Sequence, residues 1–245
     1  FLVSENVIGK IVQSAQNFGA DQILEIGPGL GALTVHIKDY APQFSVIELD
    51  KTFAEHWRSQ GLSVLEMDAL HANWGEIFVG KKSLLVSNLP YQISSRIVVD
   101  LSTLPVNLGG MILMFQKEVA ERITAKPSTE DYGLLSVIAQ SFWNITLVTN
   151  AGMQDFYPAP QVGSRVLKFV SKPNSKEQLL DTQGLFLKLV KAAFSQRRKY
   201  LIKNLRAHFS HIDFDALFLA LKIDPKIRAE AISPEMYLEL YKSMK

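Results

Sequence analysis

The first 170 residues alternate short apolar runs with stretches of helical periodicity, and this alternation constrains the fold more than any other property of the chain. Gln22-Ile23-Leu24-Glu25-Ile26, Phe44-Ser45-Val46-Ile47-Glu48, Ser63-Val64-Leu65-Glu66-Met67, Ser83-Leu84-Leu85-Val86-Ser87 and Met111-Ile112-Leu113-Met114-Phe115 read as strands. Helical candidates lie near 3–18, 32–39, 52–60 and 93–103. Near-continuous apolar strands separated by helices imply repeated βα units and a mostly parallel sheet buried on both faces. Two later runs, Ile145-Thr146-Leu147-Val148-Thr149 and Arg165-Val166-Leu167-Lys168-Phe169-Val170, have the length of strands that would add an antiparallel edge. Lys172-Pro173-Asn174-Ser175-Lys176 is then polar and broken by proline, and everything beyond it reads as helix, with starts at Asp181, Asp213 and Ser233-Pro234. The expected organisation is an α/β domain over residues 1–173, with the antiparallel edge, and a small all-helical domain over 174–245.

With 245 residues, 47% hydrophobic and 20% charged, the chain can bury a sizeable core and reads as a soluble globular protein. It has no cysteine, which removes disulfides, thiolate nucleophiles and Cys-ligated metals from consideration and is compatible with a reducing compartment. Neither a signal peptide nor a run near the ~20 apolar residues of a membrane span is visible, so a cytoplasmic protein is expected. His36, His56, His71, His208 and His211 show no metal-ligand spacing, and no metal is expected. The net charge is only +2, so affinity for a polyanion has to come from how charge is distributed.

The stretch Glu25-Ile26-Gly27-Pro28-Gly29-Leu30-Gly31-Ala32-Leu33-Thr34 joins the first strand to a helix. Its glycines permit a tight turn and close approach of a ligand to the backbone. A dinucleotide site would place a third glycine three residues after the second to clear a pyrophosphate, whereas here the spacing is Gly27-x-Gly29-x-Gly31. Glu25 would repel a pyrophosphate and accept a cationic amino-acid group. Glu48 ends the second strand, where a carboxylate can accept both hydroxyls of a ribose, and Asp68 follows the third, placed to accept from an adenine amino group. Together these residues describe a site for ribose and adenine joined to something short, cationic and free of phosphate, as in S-adenosylmethionine. At the end of the fourth strand, Asn88-Leu89-Pro90-Tyr91 sets an amide, a fixed turn and an aromatic face side by side. The same tetrapeptide can serve as a plain turn. At a strand's carboxyl end, where open α/β sheets bind ligands, it also suits a flat base bearing an amino group.

These segments, with Val46-Ile47-Glu48-Leu49-Asp50, Met67-Asp68-Ala69, Phe156-Tyr157-Pro158-Ala159-Pro160-Gln161-Val162-Gly163-Ser164 and Phe194-Ser195-Gln196-Arg197-Arg198-Lys199, occur in the order found in a known family. Essentially end to end, the chain resembles the KsgA-type ribosomal RNA small-subunit adenine N6,N6-dimethyltransferases. The resemblance implies a Rossmann-like class I methyltransferase domain and S-adenosylmethionine as methyl donor, with S-adenosylhomocysteine as product. It implies two methyl groups on N6 of each of two adjacent adenosines near the 3′ end of small-subunit rRNA, during ribosome biogenesis. Leu2, Gly27, Glu48, Asp68 and Asn88 look like cofactor contacts, with Gly29 and Gly31 in the same loop. Asn88, Leu89, Pro90, Tyr91 and Phe156 look like the catalytic pocket for the target base. Two departures stand out. The family's basic N-terminal tail and the Gln-Asn before its Phe-Leu pair are missing from this sequence, with the lid and RNA contacts they would supply. Gln161 and Gly163 replace a Lys and an Asp common in the Pro-rich motif, which bears on local RNA contacts.

An exocyclic adenine amine is a poor nucleophile because its lone pair is delocalised into the ring, so positioning has to supply the rate. If the Asn88 side-chain oxygen and the Leu89 carbonyl each accept an N6 hydrogen, the lone pair turns toward the sulfonium methyl, and such alignment is worth up to ~7–11 kcal/mol in the best intramolecular cases. Pro90 fixes the turn, while Tyr91 and Phe156 offer faces for stacking. Between Asp181 and Asp213 there is no acidic residue, yet Lys188, Lys191, Arg197, Arg198, Lys199, Lys203 and Arg206 all fall there. Without acids to pair with, they form a positive surface suited to RNA phosphates. The expected partner is small-subunit rRNA in a pre-ribosomal particle, bound by a monomer and without a membrane. Two other readings remain at this point: a large-subunit rRNA adenine methyltransferase of the macrolide-resistance type, and a non-catalytic RNA-binding assembly or transcription factor that keeps the fold.

Overall fold

The computed structural model describes residues 1–80, 82–173 and 184–244. The expected helix start at Asp181 lies outside the described residues, as do Asn174 to Lys176 of the polar stretch.

The strands are β1 (Gln22–Ile26), β2 (Gln43–Glu48), β3 (Ser63–Glu66), β4 (Ser83–Asn88), β5 (Gly110–Gln116), β6 (Trp143–Ala151) and β7 (Ser164–Ser171), which form one sheet in the order β3-β2-β1-β4-β5-β7-β6. The pairs β3/β2, β2/β1, β1/β4 and β4/β5 are parallel, and β7 runs antiparallel to β5. Every apolar run read as a strand is one, within two residues at either end. Because both faces of the central strands are covered, β1 and the first five residues of β4 are buried throughout. One side of the sheet carries Ile23, Leu84, Val86, Ile112, Met114 and Val166, which share a core with Val7, Ile8, Ile11 and Phe18 of helix α1 (Glu5–Phe18). Gly19 ends α1 in the left-handed conformation, φ 63°, and its N–H caps Gln16.

Helices α2 (Thr34–Ile37), α3 (Lys51–Ser59), α4 (Trp74–Ile77) and α5 (Tyr91–Thr103) follow β1, β2, β3 and β4 in turn. The side chain of Asp50 accepts from the Thr52 and Phe53 amides and so starts α3 immediately after Glu48. This cap fixes the chain direction just beyond a predicted site residue.

Between β5 and β6 stand α6 (Lys117–Thr124) and α7 (Leu134–Phe142), which the periodicity did not reveal. In α7 the residues Ser136, Val137, Ile138, Ala139, Ser141 and Phe142 are all buried. A helix enclosed on nearly every side loses the apolar stripe that marks an amphipathic one. The C-terminal helices are α8 (Leu185–Ala193), α9 (Leu201–His208), α10 (Phe214–Ala220) and α11 (Pro234–Ser243). The sequence starts at Asp213 and Ser233-Pro234 are the caps of α10 and α11, each side chain accepting from backbone amides of the first turn.

The chain forms two compact units, one of Phe1–Leu101, Pro105–Ala120 and Asn144–Lys172, the other of Ser102–Leu104, Glu121–Trp143 and Pro173–Lys245. The second therefore holds more than the C-terminal helices from 174 onward: α7 packs on α8 and α11 and draws residues 121–143 with it. Its core is aromatic. Phe142 and Tyr241 each meet Phe186 edge-on at 5.5 Å between ring centres, and Phe194 lies 6.3 Å from Tyr132. The Tyr132 hydroxyl donates to the Ile232 carbonyl at 2.7 Å, joining segments a hundred residues apart, and burial pushes its pKa well above that of a free phenol. Tyr132→Phe removes the donor and leaves a buried carbonyl unpaired. A loss of about 1–3 kcal/mol is expected in urea unfolding at unchanged m-value, and an unaltered midpoint would contradict this role.

Candidate active site

The first unit holds a cavity of about 380 Å³ lined by Phe1, Leu2, Glu25, Gly27, Pro28, Gly29, Leu30, Ala32, Leu33, Asn88 through Gln92, Phe156, Pro158 and Pro160. It opens at the carboxyl ends of β1 and β4, which are neighbours because β1 lies between β2 and β4. The Ser87 hydroxyl donates to the Ile26 carbonyl at 2.5 Å and ties the two strand ends together. Gly27 takes φ 64°, and a methyl group on its Cα would lie 3.8 Å from the Pro90 ring, so the loop and the tetrapeptide are in near contact.

The glycine loop is held from behind. Glu48 receives the Gly29 amide at 3.2 Å on one oxygen and the Leu49 and Asp50 amides at 2.8 and 2.9 Å on the other. The buried Trp57 of α3 donates its indole N–H to the Gly29 carbonyl at 3.0 Å. Gly31, at φ 86°, lies so close to this ring that a Cβ there would meet it at 2.4 Å. Glycine is thus required at 31 by Trp57 as well as by backbone conformation.

Asn88 is the last residue of β4, paired with Met114 of β5, and its amide has no hydrogen-bond partner among the described residues. Tyr91, two residues beyond the buried Leu89, shares a hydrogen bond with Ser164 at 3.0 Å, and the Ser94 hydroxyl donates to the Tyr91 carbonyl. Phe156 enters from the loop before β7. It is positioned by the N-terminal residues: Leu2 and Phe156 form an antiparallel bridge, flanked by Tyr157 N–H to the Phe1 carbonyl at 2.8 Å and Val3 N–H to the Asp155 carbonyl at 2.9 Å.

Of the residues singled out from the sequence, Leu2, Gly27, Gly29, Asn88, Leu89, Pro90, Tyr91 and Phe156 line this one cavity. Gly31 and Glu48 lie behind it as the supports just described. Asp68 is not among its lining residues; one oxygen caps the Leu70 amide at 2.9 Å and the other lies 3.8 Å from His71. The basic residues belong to the second unit, where the picture of unpaired charge needs correction. Arg197 pairs with Glu230 and donates to the Glu130 carbonyl, and Arg206 pairs with Asp215. The acids that pair with these two arginines come from other segments of that unit, beyond the window in which the sequence lacked them.

Glu25 is the residue whose weight the motif alone understated. Its side chain is 2% exposed, and neither its Oε2 nor the nearby Thr34 hydroxyl has a hydrogen-bond partner. Burial pushes its pKa from 4.5 up to about 8, and the nearby Glu48 carboxylate adds to the rise. Among the described residues, no Lys, Arg or His lines the cavity. Such a lining disfavours phosphate and leaves one buried carboxyl for a cation to meet.

A family model for ribosomal RNA adenine dimethylase matches residues 1–245. The chain belongs to this family. Its members are S-adenosylmethionine-dependent methyltransferases. Among curated relatives, a ribosomal RNA small subunit methyltransferase A from Bdellovibrio bacteriovorus is 43% identical, the match covering 99% of this chain and 89% of that protein. A protein of the same name from Chlorobium phaeobacteroides is 36% identical over 100% and 91%. Among solved structures, a dimethyladenosine transferase from Plasmodium falciparum superposes with TM-score 0.82 at 24% identity, covering 98% of this chain and 95% of the other. The 23S rRNA methyltransferase ErmE gives 0.70 at 22%, covering 100% and 99%. At those identities the superpositions establish the shared fold.

The Glu25 carboxyl gives a pH signature to the family's glycine loop. The folded chain keeps its proton up to about pH 8, whereas a solvated glutamate releases it near 4.5. The stability tied to that proton is intact below pH 4.5, erodes as pH rises and is gone above pH 8. Wild-type stability should therefore fall relative to Glu25→Gln between pH 5 and 8, by on the order of a few kcal/mol in urea unfolding. Parallel pH profiles for the two proteins would refute the buried-proton account.

Proposed function

We propose that this protein transfers methyl groups from S-adenosylmethionine to N6 of two adjacent adenosines near the 3′ end of small-subunit rRNA, giving N6,N6-dimethyladenosine during ribosome biogenesis. The observation that carries the site assignment is the junction of two features in one cavity: a glycine loop with a buried acid and no cation, and Asn88-Leu89-Pro90-Tyr91 with an uncommitted amide. The substrate follows from family membership and from the names of the curated relatives.

The residues present fit the cofactor. Gly27 and Gly29 leave room beside the backbone, Leu2 covers an adjoining wall, and the orphaned Glu25 oxygen suits a cationic amino-acid end. Glu48 already receives three backbone amides and is thereby fixed at the strand end, where it would accept ribose hydroxyls. When bound, the cofactor supplies an electrophilic methyl on a sulfonium. Asn88 orients the amine: its side-chain oxygen accepts one N6 hydrogen while the Leu89 carbonyl accepts the other, which draws the nitrogen out of conjugation and aims its lone pair. Pro90 holds that turn without a competing N–H, and Tyr91 and Phe156 grip the base by its faces. The target base has to leave its stack, at a cost of a few kcal/mol that a loop adenine largely avoids. No general base is required for attack, because the amine's proton can pass to water afterwards.

Lys188, Lys191, Arg198, Lys199 and Lys203 would supply phosphate contacts, while Arg197 and Arg206 are engaged within the helical unit. Action as a monomer on a pre-ribosomal particle in the cytoplasm is part of the same reading, and no helix among the described residues is long and apolar enough to cross a membrane.

The test supplies S-adenosylmethionine with undermethylated small subunits and, separately, with large-subunit RNA. Dimethyladenosine should form in the small-subunit RNA alone, and Asn88→Ala should lower kcat roughly a hundredfold or more while leaving the thermal transition in place. Activity confined to large-subunit RNA, or full activity in Asn88→Ala, would overturn the reading.

A further inference from the structure

The second unit contains a separate cavity of about 320 Å³, lined by Lys188, Lys191 and Ala192 of α8 and by His208 and Phe209 at the end of α9. Its walls are fixed. The buried Asn204 side chain donates to the Ala193 carbonyl at 2.7 Å and to the Gln196 carbonyl at 3.0 Å, locking α9 to the end of α8. Phe209 is held in turn by its amide on the Leu205 carbonyl and by the edge-on ring of Phe214. The apolar floor is Ala192 and Phe209, both buried.

Around this floor stand two groups that can meet an anion, Lys188 and Lys191, with His208 beside them. Lys188 and Lys191 are three residues apart and therefore neighbours on one helix face. Both are exposed, and neither has a carboxylate partner among the described residues, in contrast to Arg197 and Arg206. His208 lies 2.9 Å from the Asn204 carbonyl through Nδ1. Since a carbonyl only accepts, that nitrogen carries the hydrogen, and Nε2 is left for a ligand. Among the described residues, no acidic residue lines the cavity.

A patch that bound RNA by charge alone would need no depression. A cationic rim over an apolar, aromatic floor is instead the combination used for unstacked nucleotides. The volume is at the small end of ligand pockets and excludes a duplex. We propose that this cavity takes one unpaired nucleotide of the RNA substrate, its base over Ala192 and Phe209 and its phosphate between Lys188 and Lys191. The proposal rests on the rRNA reading for the source of the nucleotide, while the pocket's preference for a nucleotide stands apart from it. Seating a second extruded nucleotide away from the reacting one would register the RNA by its shape.

The full-length protein with ring-labelled histidine is titrated with uridine 5′-monophosphate, with uridine and with inorganic phosphate, and the His208 signal is followed by NMR after assignment with His208→Gln. The nucleotide should shift that signal at a concentration about tenfold lower than either uridine or phosphate, since base and phosphate contacts add. The double variant Lys188→Gln/Lys191→Gln should abolish the advantage over uridine. It should also weaken binding to undermethylated small subunits about tenfold, with a salt slope shallower by about 1–2. Equal response to nucleotide and phosphate would reduce the cavity to a charged surface and overturn the proposal, as would no response of His208. If the nucleotide shifts His208 but the wild-type protein leaves small-subunit RNA unmodified, the substrate reading fails and the pocket stands.

Discussion

Adjacency of the β1 and β4 carboxyl ends governs the geometry of the site. The order β3-β2-β1-β4-β5 puts Ile26 beside Ser87, and the hydroxyl of Ser87 on the Ile26 carbonyl fixes the gap between the two strands where the regular ladder ends. From that junction the chain leaves in two directions, through Gly27 into the glycine loop and through Asn88 into the Leu-Pro-Tyr turn. Each exit is then braced from outside the cavity. Glu48 holds the amide of Gly29 and Trp57 its carbonyl, and Tyr91 is pinned to Ser164. A reaction that depends on aligning a weak nucleophile requires such bracing, since small displacements at the reacting atoms are costly.

Electrostatically the cavity is asymmetric. An unpaired carboxyl in a dry wall ordinarily costs several kcal/mol, and the chain relieves the cost by keeping Glu25 protonated. Glu48 is buried as well, but its two oxygens accept three backbone amides. The pair consequently divides the work: Glu48 holds the loop through backbone amides, and Glu25 keeps an oxygen without a partner among the described residues at the cavity wall. A cationic ligand is thereby favoured over a neutral one of the same shape, because only the cation makes loss of the Glu25 proton worthwhile.

Much of this was legible in the sequence, for identifiable reasons. The strands declared themselves because central parallel strands are apolar on both faces, and Asp213 and Ser233 announced helix starts because caps depend on a short side chain next to its own helix. Helix α7 escaped because burial on nearly every side erased its stripe. Gly31 was read as part of a ligand loop, yet its requirement comes from Trp57, twenty-six residues away, a contact no local pattern encodes. The same limit governed charge. Arg197 and Arg206 look free in a window without acids and are paired through tertiary structure, whereas Lys188 and Lys191 have no such partner among the described residues.

The two walls that would grip a base are held by different means, and this bears on how the site can move. Asn88 and Leu89 extend from a buried central strand, so their positions are tied to the most protected part of the sheet. Phe156 sits on a loop that pairs with the first three residues of the sequence, three hydrogen bonds around a single bridge. Opening that short pairing exposes few apolar atoms beyond Leu2 and Phe156 themselves, whereas displacing Asn88 would break the sheet. The aromatic wall is thus held by local backbone pairing and by the packing of Leu2 and Phe156 in the core, and the amide wall by the sheet itself.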